Sequence, residues 1–285
     1  MDPNPGNIPV QTIPVSRLDP DPVTGFALAP TPPALERSIR GLGVLTPLLA
    51  APAEGGRRRV IAGHRRLEIA RRLPAAAVPV RLLAVEPEAA VKLQWQLQDN
   101  STHRTYSDME IGRALIRLAA AGMPETRLIS HVLPLLGQEP AKKRLDDFLG
   151  AWDFSPRLQQ VVHEVRLPVR VYSLFFRWGE PDREAAGALL ETLRPGVNKC
   201  RDLLEMVEET AQRDGVTPAA LFDRPEIRTR LEDASQPPGE RFQAIQKIIF
   251  EWRYPHLFHL RAEARGIISR LRLDPGIRLR VPENF

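Results

Sequence analysis

The chain of 285 residues contains a single cysteine, Cys200. An internal disulfide is therefore excluded, and thiolate zinc chemistry has no ligand set to draw on. Cysteine poverty of this kind fits a reducing, cytoplasmic compartment. No run approaches the ~20 uninterrupted apolar residues that a membrane span needs. The opening Met1-Asp2-Pro3-Asn4-Pro5 has neither the basic start nor the apolar core of a secretory signal, so none is expected. The six histidines show no metal-ligand spacing. His256 and His259 are three apart, but no further ligand candidate joins them, and they read as surface or interface residues. Aromatic residues make up only 6% of the chain. Trp95, Trp152, Trp178 and Trp252 read as core anchors rather than stacking platforms. There is no internal repeat.

What is present suits a globular protein of two or three small domains: 43% of residues are hydrophobic. Forty basic residues stand against thirty-five acidic ones, a net charge of +5. This modest excess supports an anionic partner without specifying one.

The first twelve residues carry proline and glycine without periodicity and read as a loose tail. Ile13 to Leu18 reads as a first strand, and the proline-rich stretch from Asp19 to Pro33 as loop. Pro33 suits a first helical position, with Leu35, Ile39 and Leu42 on one face and Gly41 and Gly43 at the end. Leu45 to Ala50 and Arg57 to Ala62 read as paired strands joined at Glu54-Gly55-Gly56. A helix from about Leu67 to Leu73 and a strand from Val78 to Val85 complete a small α/β domain, residues 13–98. Beyond Glu86 the pattern is almost entirely helical. Pro87 to Gln98 is periodic, and Ser107-Asp108-Met109-Glu110 has the form of a capping box opening a helix that stops at Gly122. Gly179-Glu180-Pro181-Asp182 marks a boundary. Residues 99–180 thus form one helical domain and residues 181–285 a second, with an extended piece over Ile277 to Val281.

The most telling segment is Gly63-His64-Arg65-Arg66, set between a strand and a helix. Glycine lets the backbone approach a bound group closely. A helix N-terminus offers free N–H groups and partial positive charge to an anion. Two adjacent guanidinium groups add forked donors suited to phosphate. The same four residues also fit an ordinary turn with solvated arginines. A second segment, Asp99-Asn100-Ser101-Thr102-His103-Arg104, lies where the α/β pattern gives way to helices. Asp99 and Asn100 could hold Mg²⁺ through oxygen ligands, with His103 and Arg104 reaching phosphate oxygens. Local sequence alone favours a helix-capping loop there.

A third feature is a pair of helices, Pro124 to Val132 and Pro140 to Trp152, joined through Leu133 to Gln138. The second begins with Lys142, Lys143 and Arg144. A short helix, a turn and a basic second helix fit a helix-turn-helix facing DNA. The alternative is a plain helical bundle with a solvated basic end, a reading that Asp146 and Asp147 favour.

In this order the segments resemble the ParB family of chromosome and plasmid partition proteins. Ile13-Pro14-Val15-Ser16-Arg17-Leu18 is similar to the family's opening strand. Leu35 to Pro47 is similar to its helix and Thr-Pro step. Gly63-His64-Arg65-Arg66 stands where the family has Gly-Glu-Arg-Arg or Gly-His-Arg-Arg, and Asp99-Asn100 where it has Glu-Asn. The resemblance runs over roughly residues 8 to 178. It implies an α+β architecture: a small ParB/sulfiredoxin-like α/β domain followed by all-α helix-turn-helix and C-terminal helical domains. It also implies binding of CTP with Mg²⁺, binding of DNA, and a homodimer that closes as a nucleotide-switched clamp. Carried over by residue, Thr46 and Pro47 would line a nucleoside pocket, and Gly63, His64, Arg65 and Arg66 would hold the triphosphate. Asp99 and Asn100 would approach Mg²⁺ and phosphate, supported by His103 or Arg104, while Lys142, Lys143 and Arg144 would meet DNA.

The expectation is thus a cytoplasmic, nucleoid-associated partition-type protein that binds CTP. Slow CTP hydrolysis, with Asp99 and Asn100 as candidates, stays open. A partition ATPase or another protein is an expected further partner. Two rivals use the same fold: a metal-dependent nuclease or small-molecule phosphotransferase, and an adaptor that does not bind DNA. Residues 183–285 do not resemble the family's short dimerising tail and read as a dimerisation or docking domain of another design. Sulfiredoxin shares the α/β fold but needs a reactive cysteine beside the phosphate turn, where this chain has His64, so that activity is rejected.

Overall fold

The computed structural model describes residues 8–73, 77–101 and 104–271. His103, the end of the chain from Arg272 and its expected extended piece lie outside the described residues, as do the first seven residues of the expected tail. Two compact units are present, one ending at Ser173 and the other beginning at Leu174.

The first unit is built on a five-stranded mixed sheet of order β1-β5-β3-β4-β2. Its strands are β1 (Val10–Pro14), β2 (Leu18–Pro20), β3 (Leu48–Pro52), β4 (Arg58–Ala62) and β5 (Ala77–Leu82). The single strand expected over Ile13 to Leu18 is in fact two, at opposite edges of the sheet. A 3₁₀ turn, Val15–Arg17, separates them, because β1 runs antiparallel to β5 whereas β2 runs parallel to β4. Val10 to Thr12 belong to β1 rather than to a loose tail. β3 and β4 pair antiparallel through Glu54–Gly56, as the sequence predicts. β3 lies in the middle of the sheet and is apolar on both faces, which is why Leu48-Leu49-Ala50-Ala51 does not alternate with polar residues.

Each face of the sheet is covered. Helix α2 (His64–Arg72) lays Leu67 and Ala70 over Leu48, Ala50, Val60, Val78 and Val80. On the opposite face Leu49, Ala51, Ile61, Ala62 and Leu83 form a second cluster, and Trp95 of helix α3 (Ala89–Ser101) packs against it. Helix α1 (Pro33–Leu42) precedes β3. It buries only Ile39, and Leu42 is exposed rather than part of an apolar stripe.

Beyond α3 the unit is helical. α4 (Asp108–Ala120) opens on the capping box that the sequence predicts: Ser107 Oγ accepts from Glu110 N, and the Glu110 carboxylate accepts from Ser107 N. The helix-π-helix run Glu125–Arg127, Leu128–Val132 and Leu133–Leu135 follows. Helicity therefore continues through part of the expected turn, and the connection to α5 (Lys142–Gly150) starts after Leu135. α6 (Pro156–Glu164) comes next. α4 and α5 approach closely at Gly112, where a β-carbon would stand 3.1 Å from the Phe148 carbonyl oxygen.

Residues 21–32 connect β2 to α1 without regular structure, and one face of α4 straps them down. The Glu110 carboxylate accepts from the N–H groups of Leu28 (2.9 Å) and Ala29 (3.3 Å) and from Arg104 Nη1 (3.0 Å). One turn on, Arg113 Nε donates to the Phe26 carbonyl at 3.0 Å, and beyond it Arg117 Nη1 donates to the Val23 carbonyl at 3.2 Å. Positions 110, 113 and 117 share one helix face.

In the second unit α7 (Glu180–Leu193), α8 (Val197–Asp214), α9 (Pro225–Glu232) and α10 (Pro238–Arg253) pack on one another, with the short helix Pro218–Phe222 inserted between α8 and α9. Pro225 restarts the helix after the break. α11 (Pro255–Arg270) follows α10. Cys200 is buried on α8, and burial pushes its thiol up to about 12, so it is not a nucleophile at neutral pH. Trp178 is a core anchor as expected, but Trp152 is 62% exposed and is not. Among the described residues, no helix is long and apolar enough to cross a membrane.

Glu110 is almost wholly buried. Burial pushes its carboxyl up, but Arg104 and the N–H groups of Leu28, Ser107 and Ala29 outweigh burial and hold it below the ordinary value of 4.5. A group depressed in the folded state stabilises above its unfolded pKa, and that contribution is lost as pH falls through the folded value. Glu110→Ala is expected to cost about 3 kcal/mol, the scale of breaking a buried ion pair. Denaturant titration should show this gap at neutral pH and show it shrinking on acidification below pH 4.5; a gap independent of pH would mean that the carboxyl is not ionised.

Candidate functional site

Gly63 is the N-cap of α2 and has φ +98°, in the left-handed region where a side chain is strained. β4 ends immediately before it, so the chain turns sharply from strand into helix. No side chain caps α2. Its first N–H groups and the positive end of its dipole therefore stand open, as the sequence suggests.

From this bend the two arginines diverge. Arg65 Nη2 donates to the Ala29 carbonyl at 2.8 Å and so reaches the strapped loop. Arg66 crosses the other way: Nη1 donates to the carbonyls of Thr46 (2.8 Å) and Pro47 (2.9 Å), and Nη2 lies 3.5 Å from Asp99 Oδ2. Burial pulls both guanidinium groups below the ordinary arginine value. Both remain charged at neutral pH. A guanidinium has five N–H donors, and these contacts occupy only part of each fork.

Asp99 and Asn100 sit in the last turn of α3 and not in a capping loop. That corrects the local reading of the sequence. The periodic helix simply runs three residues further, and Asn100 Nδ2 folds back to donate to the Gln96 carbonyl at 2.8 Å. Arg104 follows with its guanidinium 4.3 Å from the centre of the Tyr106 ring and on Glu110.

These pieces converge. One hollow, about 370 Å³, is bordered by Thr46, Gly63, His64, Arg65, Arg66, Asp99, Asn100 and Arg104, with Gln96 of α3 and Ala27, Pro32 and Leu35 completing the wall. A second, about 400 Å³, shares Thr46, Arg66 and Asp99 with the first and adds Pro47, Leu48, Leu49, Ala62, Arg81, Trp95 and Gln98. The Arg66–Asp99 pair stands at the border common to both. The first hollow carries three guanidinium groups against one carboxylate; the second carries two, Arg66 and Arg81, against the same carboxylate, and has an aromatic wall in Trp95.

His64 borders the first hollow and also has a partner of its own. Its Nε2 lies 3.1 Å from Thr24 Oγ1, and burial lowers its pKa despite the opposing charge of Asp21. The ring thus belongs to a buried network. Thr24 Oγ1 donates to the Asp21 carbonyl, and the Asp21 carboxylate accepts from Val23 N and Lys92 Nζ, each at 2.8 Å. Lys142, Lys143 and Arg144 lie on α5, in the helical part of the unit. Lys142 pairs with Glu125 and Asp146, and Lys143 with Asp147.

Sequence reading did not single out Gln96, Arg81 or the exposed face of Trp95. The one available signal was spacing: Trp95 and Asp99, like Gln96 and Asn100, are four apart on a helix and must share a face. Glu110 was visible only as a capping residue.

A β-carbon on Gly63 would stand 3.1 Å from Leu48 Cγ and 3.3 Å from Arg66 Cζ. Gly63→Ala is therefore expected to lower stability by about 1–2 kcal/mol through its left-handed backbone and to displace the Arg66 fork. Thermal melting reads the first effect and loss of anion binding the second.

A family model for the ParB N-terminal domain matches residues 5–101. No curated protein matches the chain. Three solved structures share low identity with it. The C-terminally truncated chromosome-partitioning protein ParB from Caulobacter crescentus, complexed with CTP-gamma-S, is 18% identical; the match covers 61% of this chain and 94% of that one, with a TM-score of 0.29. The same truncated protein complexed to the centromeric parS site is 14% identical over 68% and 98%, with a TM-score of 0.40. A Pnob8-like ParB-N domain is 15% identical over 85% and 97%, with a TM-score of 0.39. Superpositions this loose add no detail, and the assignment rests on the family match together with the ordered motifs. Residues 5–101 therefore match the ParB N-terminal domain family.

Proposed function

We propose that this chain is a CTP-binding, nucleotide-switched DNA-binding protein of partition type that works as a dimer. One observation carries the reading: Gly63–Arg66 and the distant Asp99–Asn100 pair border a single hollow, joined there by Arg104. A triphosphate placed in it would meet the open N-terminus of α2 and three guanidinium forks. The match of residues 5–101 to the ParB N-terminal domain supports CTP as the nucleotide, since a ParB of that family has been captured with a CTP analogue.

One carboxylate and one carboxamide, Asp99 and Asn100, form a donor set of the kind Mg²⁺ takes from protein when phosphate oxygens and water supply the rest. Among the described residues no group of three or more His, Cys, Asp or Glu gathers to hold a metal. A bound Mg²⁺ would screen the charge of the phosphates and would therefore depend on the nucleotide.

Switching follows from shared residues. Arg65 borders the hollow and holds Ala29; Arg104 borders it and holds Glu110. A phosphate drawn to either guanidinium acts on the same loop that α4 straps down, and α4 packs on α5 at Gly112. Occupancy of the hollow thus biases the helices that carry Lys142, Lys143 and Arg144, the proposed DNA contacts. Contacts from these groups to DNA phosphates would release counterions, so binding is expected to be salt-dependent; the pairs of Lys142 with Asp146 and of Lys143 with Asp147 must open first.

Self-association is supported by α11. Leu257, Leu260, Ala264, Ile267 and Leu271 recur at alternating steps of three and four, the spacing of a coiled-coil seam. Leu260, Ile267 and Leu271 are each more than half exposed.

Calorimetric titration with CTP, ATP, GTP and UTP in the presence of Mg²⁺ tests the nucleotide. Preference for CTP is expected; equal, absent or ATP-preferring binding overturns it. Arg65→Ala and Arg66→Ala should each weaken CTP by about 1.5–3 kcal/mol, the range for a hydrogen bond to a charged group. In sedimentation, a Leu260→Glu/Ile267→Glu double variant is expected to run as a monomer where the parent runs as a dimer. A parent that is itself monomeric removes the clamp from the reading.

A further inference from the structure

Arg65, Arg66 and Arg104 face the anionic end of a nucleotide placed in the first hollow. Where that end stops is marked by Gln96. This side chain is only 5% exposed, and its Oε1 is buried with no hydrogen-bond partner among the described residues. It nevertheless borders the hollow that Arg65, Arg66 and Arg104 make electropositive. A buried carboxamide oxygen without a donor is costly, and native proteins rarely leave one. A phosphate cannot satisfy it, because phosphate oxygens only accept and would be repelled. The group that fits is a neutral hydroxyl adjoining an anionic chain, which is what the sugar of a nucleotide presents.

Trp95 lies one residue earlier and about 100° round the helix. One side of the indole packs on the sheet cluster that contains Leu49 and Ala62. The side chain is only half-buried, and with Pro47, Leu48, Leu49 and Ala62 it forms the apolar part of the wall of the second hollow. The two hollows adjoin at Thr46, Arg66 and Asp99, so a molecule with a charged chain at one end and a flat ring at the other fits across them. Stacking on an indole suits a base and tolerates any base sequence.

Resting on the nucleotide reading above, we propose that α3 reads the nucleoside: Gln96 Oε1 accepts a hydrogen bond from a ribose hydroxyl, and the Trp95 indole is the platform for the base. Successive turns of one helix thereby divide the ligand, with Asn100 and Asp99 toward the phosphates and Gln96 and Trp95 toward the sugar and ring.

The test is calorimetry on the full chain with three probes: CTP, its 2′,3′-dideoxy analogue, and inorganic tripolyphosphate. Trp95→Ala should weaken CTP about tenfold, on the scale of one lost base–aromatic stack, and leave tripolyphosphate unchanged. Gln96→Leu should bring CTP down to the affinity of the dideoxy analogue while leaving that analogue and tripolyphosphate as they were. Trp95→Phe should keep CTP affinity but abolish the change in tryptophan emission that CTP causes in the parent; this variant carries the test if the alanine variant does not fold. Unchanged CTP affinity in Trp95→Ala and Gln96→Leu, or equal weakening of CTP and tripolyphosphate in both, overturns the proposal. A parent that binds tripolyphosphate as tightly as CTP also overturns it but leaves the phosphate site standing. A parent that binds neither overturns the nucleotide reading and this proposal together.

Discussion

A single buried carboxylate determines where the wall of the cleft stands. Glu110 gathers the N–H groups of Leu28, Ala29 and Ser107 and the guanidinium of Arg104. Residues 21–32 have no ladder or helix of their own to satisfy their backbone, so their course is dictated by what they bond to. Glu110 fixes the middle of the segment, Arg113 and Arg117 fix points before it, and Arg65 returns the tie from the sheet side. Removing the carboxylate would release a charged partner and several donors together. The strap is therefore as much a part of the site as the residues that face the ligand.

Helix α3 supplies the other organising constraint. Lys92 near its start is buried against Asp21 and Glu86, which fixes its rotation about its own axis. With the rotation fixed, the 3.6-residue period decides what each later residue meets. Leu93 and Leu97 enter the core, Trp95 meets the sheet cluster, Gln96 and Asn100 turn to the electropositive hollow, and Asp99 stands against Arg66. The buried ion pair is thus better understood as setting register than as adding stability, since buried pairs give back in desolvation much of what they gain.

Much of this was legible in the sequence because the signals were local. The Glu-Gly-Gly turn, the Pro33 start of α1, the Gly63 bend and the Ser107–Glu110 capping box each depend on a few adjacent residues, and each forms where expected. What was not legible depends on distance along the chain. Nothing in Ile13 to Leu18 says that its two halves join strands on opposite edges of a sheet, because the partners, Val78 in β5 and Arg58 in β4, lie ~65 and ~40 residues away. Nothing in Gly-His-Arg-Arg says that the imidazole turns to Thr24 while the arginines diverge, since the sequence gives the residues but not the loop they meet. The Asp99-Asn100 pair misled for the opposite reason: both residues favour caps, and tertiary packing carried the helix through them. Trp152 shows the same limit, for composition makes a tryptophan an anchor only where a core exists to receive it.

The missing side chain at Gly112 has a mechanical consequence. With the Phe148 carbonyl only 3.1 Å from where a methyl group would sit, α4 and α5 touch almost backbone to backbone. Contact that tight leaves little slack between the two helices, so a displacement of α4 reaches α5 directly. α5 spans about 13 Å at 1.5 Å per residue, and the notch lies near the end opposite Lys142. A tilt of roughly five degrees at the notch thus moves the basic end by about 1 Å over that length, more than the roughly 0.5 Å range of a good hydrogen bond. A β-carbon at position 112 would hold the helices apart and loosen that transfer.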